Sequence, residues 1–78
     1  MQSYKQYRWI VTDPDLLAGR LAVRGTRLSV AFLLNCLAEG MGLEEIHEAY
    51  GSFPDEAIPE ILHVAAEFLE SPVQLLER

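Results

Sequence analysis

The chain has 78 residues, half of them apolar, with six basic and twelve acidic side chains for a net charge of −6. A chain this short makes one thin domain, burying roughly 60% of its unfolded surface, while its apolar fraction excludes a disordered chain. Its single cysteine excludes an internal disulfide. The opening MQSYKQYRW has no hydrophobic signal core, and no apolar run approaches the ~20 residues of a membrane span, so a cytoplasmic protein with no membrane partner is expected. The acidic sum speaks against a generic nucleic-acid binder. Its distribution says more. Residues 1–30 carry five bases (Lys5, Arg8, Arg20, Arg24, Arg27) against two acids, whereas residues 31–78 carry ten acids and one base, Arg78. A basic arm is joined to an acidic body.

In chain order, Tyr7 to Val11 is a β-favouring run stopped by Thr12-Asp13-Pro14-Asp15, where the carboxylate of Asp13 can bond nearby amides and Pro14 fixes its own φ. Leu21 to Arg24 forms a second extended run, with Leu21 and Val23 on one face and Ala22 and Arg24 on the other. Gly25 interrupts it at a bulge or tight bend. A two-stranded ribbon follows, which must lie on something to be stable. Ser29 suits the N-cap of a first helix whose apolar positions are Val30, Leu33, Leu34, Leu37 and Met41, ending at Gly40 and Gly42. Phe32 and Cys36 fall on another side of that helix. A second helix covers 43–50, with Leu43, Ile46 and Tyr50 inward and Gly51 closing it. A third starts near Asp55 or Glu56 so that Pro59 lies in its first turn, with Ile58, Ile61, Leu62, Ala65 and Leu69 as its buried stripe, and Ser71-Pro72 ends it. Three helices with a glycine-containing turn between the last two fit a helix-turn-helix and equally any compact helical trio.

Asp13-Pro14, Gly19, Arg24-Gly25-Thr26-Arg27, Leu37-Ala38 with Gly40, Glu44-Glu45-Ile46 and Pro54 stand in an order that resembles a widespread prokaryotic family, domain-of-unknown-function family 433, related to VapB-type antitoxins. The resemblance covers about residues 9–70, and the RGTR element in register with the later glycines carries most of it. Arg20-Leu21 departs from the lysine-proline pair usual after the glycine. The resemblance implies a mainly α, helix-turn-helix-like three-helix domain with a short N-terminal two-stranded β-ribbon. The single domain then divides into a basic arm (1–28), a helical body (29–70) and a C-terminal tail (71–78). It further implies an antitoxin-like role: neutralising a small PIN-like nuclease, whose metal site is lined with acidic residues, and binding promoter DNA.

Two functional classes follow from the residues. Reading bases with the N-terminal part of the third helix would place Asp55, Glu56 and Glu60 against phosphates, with no arginine, lysine, asparagine or glutamine for a base edge. DNA would have to be met by the arm. An acidic protein partner suits the charges better, because a guanidinium matches a carboxylate bidentately and stays charged when desolvated. The candidate binding residues are Arg20, Arg24, Thr26, Arg27 and Arg78, with Val73, Leu75 and Leu76 as anchors for the tail. The competing structural role is pairing of Arg24 and Arg27 with Glu39, Glu44 or Glu48, Arg27 being the nearer to the scaffold and Arg20 the freest. Phe32 and Cys36 are candidates for a homodimer face. Enzymatic chemistry has little support. Cys36 sits among leucines as a packed thiol, His47 and His63 lack ligand spacing for a metal, and Gly40-Met41-Gly42 lacks the strand and lysine of a phosphate loop. No catalytic residue, metal or cofactor is expected.

Overall fold

The computed structural model describes residues 1–70 and Pro72. A small antiparallel sheet of three short strands, β1 (Gln2–Ser3), β2 (Ile10–Thr12) and β3 (Ala22–Val23), is followed by three helices, α1 (Val30–Ala38), α2 (Leu43–Tyr50) and α3 (Ala57–Leu69). The molecule is thus mainly α with a short N-terminal β element. The ribbon has three strands rather than the expected two: Gln2 pairs with Thr12 and Ser3 with Val11, while Ile10 pairs with Val23 and Val11 with Ala22. A two-residue strand is too short to show any alternation, which is why β1 leaves no mark in the sequence.

The RGTR element is the turn of a hairpin. Gly25 has φ of +80°, a conformation open to glycine at no steric cost. The Thr26 hydroxyl donates to the Val23 carbonyl at 2.8 Å and accepts from the Leu28 amide at 3.0 Å. The returning chain then pairs with β3, the Val23 amide donating to the Leu28 carbonyl (3.0 Å) and the Val30 amide to the Leu21 carbonyl (2.9 Å). This locks the start of α1 against the sheet. Upstream, the turn Leu17–Gly19 is left-handed throughout, with φ of 53°, 56° and 78° at Leu17, Ala18 and Gly19. The Thr12 hydroxyl anchors it by donating to the Gly19 carbonyl at 2.9 Å.

The helix boundaries follow their caps. Ser29 Oγ accepts from the Phe32 amide at 3.0 Å, Glu45 reaches back to the Gly42 amide at 3.0 Å, and Gly51, at φ of +111°, closes α2. Pro59 is the third residue of α3, where its missing N–H costs nothing.

Two stripes are rotated from expectation. On α1 the buried positions are Val30, Leu33 and Cys36, with Leu34, Leu37 and Met41 at the margin of the core. This helix is apolar nearly all round, so its pattern does not select a face. On α3 the core face is Ala57, Ile61 and Val64, and Leu62 and Leu69 are 52% and 75% exposed. The rotation of α3 is set by its carboxylates. Glu60 Oε1 accepts from the Trp9 amide at 2.7 Å and its Oε2 from the Arg8 amide at 3.3 Å. Further along the same face, Glu67 accepts from the Tyr7 hydroxyl (3.0 Å) and lies 3.6 Å from Lys5 Nζ. The arm is therefore clamped on α3, over a core formed by Tyr7, Ile10, Val23, Leu33, Ile46, Phe53 and the α3 residues. Tyr50, expected inward, is 48% exposed. It meets the Phe32 ring edge-on at 4.8 Å.

Candidate protein-interaction site

The basic residues of the arm divide into two groups. Lys5 is engaged with Glu67, and Arg24, half-buried, spans the sheet: its Nε donates to the Arg8 carbonyl at 2.7 Å and its terminal nitrogen to the Ser3 hydroxyl. Arg24 is thus the scaffold arginine, not Arg27, because β1 and the Arg8 loop bring acceptors to its fork. Thr26 is likewise a turn residue, both hydroxyl bonds being local. Arg8 is exposed and lies over the Trp9 ring, 5.2 Å from its centroid.

Arg20 and Arg27 form the second group. Both are exposed, and among the described residues neither guanidinium has a hydrogen-bond or ion-pair partner. The expected pairing with Glu39, Glu44 or Glu48 does not occur; the ion pairs of the described residues are Met1 N with Asp13 and Lys5 with Glu67. Arg20 and Arg27 each line an apolar groove. Arg20 borders one of about 250 Å³, built from Leu21, Val30, Leu34, Ala65 and Phe68. Arg27 borders another of about 280 Å³, built from Leu17, Leu28, Phe32 and Tyr50. Ser29 lines both. The two grooves therefore adjoin at the N-terminus of α1, whose first turn holds no acidic residue, so the helix dipole adds positive potential between the two cations. An arginine beside an apolar recess favours a ligand that offers a carboxylate next to an apolar side chain.

The remaining candidates lie elsewhere. Cys36 is buried in the core at 5% exposure, so it shares no outer face with Phe32, which belongs to the Arg27 groove. Arg78 and the tail residues Val73, Leu75 and Leu76 fall outside the described residues. His47 packs edge-on against Phe53 at 4.6 Å and His63 is exposed. No group of three metal-ligating side chains occurs among the described residues, and no helix among them is long and apolar enough to cross a membrane. Glu60 and Glu67 hold the arm in place, a positioning role that the sequence does not advertise. Glu60 serves backbone amides and so has no complementary side chain to betray it, and the partners of Glu67, Lys5 and Tyr7, lie some sixty residues away.

A family model described as a protein of unknown function (DUF433) matches residues 10–64. The chain belongs to the DUF433 family. The DUF433 segment begins at the first residue of β2 and ends within α3, so β1 and the last residues of α3 lie outside it. It contains the RGTR hairpin, Arg20, Arg27 and the cap of α1, while the exposed Arg8 lies before it. No curated protein and no solved structure matches the chain.

Proposed function

We propose that this DUF433 chain is a non-enzymatic, antitoxin-like module that binds and neutralises an acidic partner protein, of the PIN-like nuclease class, through the arginines of its N-terminal arm. One observation carries the reading. Arg20 and Arg27, exposed and, among the described residues, with unpartnered guanidiniums, stand beside two apolar grooves that meet at the start of α1. Guanidinium groups so placed can enter a carboxylate-lined site while the grooves take neighbouring apolar side chains. The helical trio acts in this reading as a helix-turn-helix-like scaffold that presents the arm. Its third helix is poorly suited to base readout: Ala57 is buried, Glu60 is bonded to the arm, and Asp55 and Glu56 would face phosphates. Promoter DNA would have to be reached by the exposed arginines of the arm, Arg8, Arg20 and Arg27.

The test is co-expression with the product of the adjacent gene. Joint replacement Arg20→Ala and Arg27→Ala should weaken that complex by about tenfold or more, as expected for arginines desolvated in an interface, with the melting temperature unchanged. Arg24→Ala should instead lower the melting temperature. Undiminished complex formation by the double variant refutes the reading. Retardation of the chain's own promoter fragment, weakening steeply with salt and lost in the double variant, would transfer the role to DNA.

A further inference from the structure

The groove beside Arg20 lies at the C-terminal end of α3. Val64, Ala65 and Phe68 form its α3 wall, and Leu34 lines it from α1. Phe68 is 66% exposed and stands one residue before the end of the helix at Leu69. Among the described residues no carboxylate lines this groove, so Arg20 is its one charged group. Pro72 cannot extend the helix, and a proline just past a C-cap marks where the chain leaves the helix axis. Six residues then follow, Val73-Gln74-Leu75-Leu76-Glu77-Arg78, and they lie outside the described residues.

We propose that residues 73–78 occupy this groove of their own chain, with Leu75 and Leu76 against Phe68 and Leu34, Glu77 paired with Arg20, and Arg78 left in solvent. Chemistry, reach and tethering select this occupant. An arginine beside an apolar recess takes a carboxylate next to an apolar side chain, and Leu76-Glu77 is such a pair. Glu77 is also the only acid after Glu70. Six extended residues span up to about 20 Å, against roughly 6 Å of helix from Ala65 to Leu69. The segment can therefore reverse direction after Pro72 and still run the length of the α3 wall. Tethered this close, it meets the groove at an effective concentration on the order of millimolar, which favours it over the same segment of a second copy at micromolar protein. Docked there, it covers the Arg20 groove and leaves the Arg27 groove open. A partner entering the first groove must displace it, a consequence that rests on the acidic-partner reading; the docking itself does not.

Nuclear Overhauser contacts in the isotope-labelled full chain test this without any partner, so the docking and the acidic-partner reading fail separately. Methyl protons of Leu75 or Leu76 should show contacts to the Phe68 ring or the Leu34 methyls, with intensities unchanged on dilution. Leu75→Ser together with Leu76→Ser should abolish those contacts, shift the Phe68 ring resonances and lower the melting temperature by about 4 °C or more. Glu77→Arg should weaken the contacts, and adding Arg20→Glu should restore them. A parent chain with no contact between residues 73–78 and the groove overturns the proposal. So do contacts that fade on dilution, which belong to a second copy's tail, and a serine variant that melts with the parent. Failure of the reversed pair to restore the contacts overturns the pairing of Glu77 with Arg20. Should any variant lose its helical circular dichroism, the contacts in the parent chain decide.

Discussion

Replacing Glu60 by alanine tests the clamp that positions the arm. The Trp9 amide donates to this carboxylate at 2.7 Å in a partly buried setting, and the Arg8 amide at 3.3 Å near solvent. A hydrogen bond to a charged group contributes about 1.5–3 kcal/mol, and an amide left without an acceptor forfeits its desolvation cost as well. The exposed, longer bond adds little. Glu60→Ala should therefore destabilise the fold by about 2 kcal/mol, which for a domain of this size lowers the melting temperature by about 8–16 °C. Glu60→Gln keeps a neutral acceptor for the Trp9 amide and should lose about half as much. Thermal unfolding followed by circular dichroism reads both, and amide hydrogen exchange at Trp9 reads the clamp directly. An alanine variant melting within about 2 °C of the parent, with Trp9 exchange unaltered, would show that the arm is held by its apolar contacts alone.

Two further substitutions probe the arm. Ala18 holds a left-handed φ of 56° between Leu17 and Gly19, a conformation costing an L-residue about 1–2 kcal/mol, so Ala18→Gly should stabilise the domain by about 0.5 kcal/mol after the added chain entropy; a lower denaturant midpoint would contradict this. The Tyr7 hydroxyl ionises above the ordinary tyrosine value of 10.0, first because burial disfavours the phenolate and then because the Glu67 carboxylate accepts its proton in a hydrogen bond. A folded-state pKa above the unfolded one makes this contribution complete below about pH 10 and lost as pH rises through the folded value. The parent's melting temperature should then fall more steeply than that of Tyr7→Phe above about pH 10, and parallel curves would refute the coupling.

The helices are legible in the sequence because their ends are marked by chemistry that acts within a few residues. Ser29 caps α1, Gly51 ends α2, and Pro59 limits where α3 can begin. The RGTR hairpin is legible for the same reason: a glycine for the positive φ and a threonine hydroxyl bonding inside its own turn. Which face each helix buries is not, because it depends on partners distant in sequence. Cys36 and Leu34 are both apolar; only the position of the sheet and α3 sends Cys36 inward. The roles of the arginines are inverted on the same ground. Arg27 is next to the α1 boundary in sequence, yet Arg24 is the one whose fork meets the Arg8 carbonyl and Ser3, acceptors delivered by segments sixteen and twenty-one residues away.

The contrast between a basic arm and an acidic body acquires a different meaning once the contacts are placed. Part of it is internal adhesion. Two α3 carboxylates are occupied by the arm, one with backbone amides and one with Lys5 and Tyr7, and Arg24 is occupied by the sheet. Among the described residues one base of the arm, Lys5, is ion-paired with a carboxylate of the body, so the contrast is spent in part on the chain's own fold and its bulk sign alone does not choose a partner. What stays available is local: Arg20, Arg27 and the positive end of α1 beside the apolar grooves, and Arg8 exposed over Trp9. Surface ion pairs formed there in open water would contribute under about 1 kcal/mol each. Specific binding thus requires the partner's apolar groups to fill the grooves and exclude water, and filling either groove with bulk, as in Leu34→Trp or Leu28→Trp, should weaken the complex even with both arginines intact.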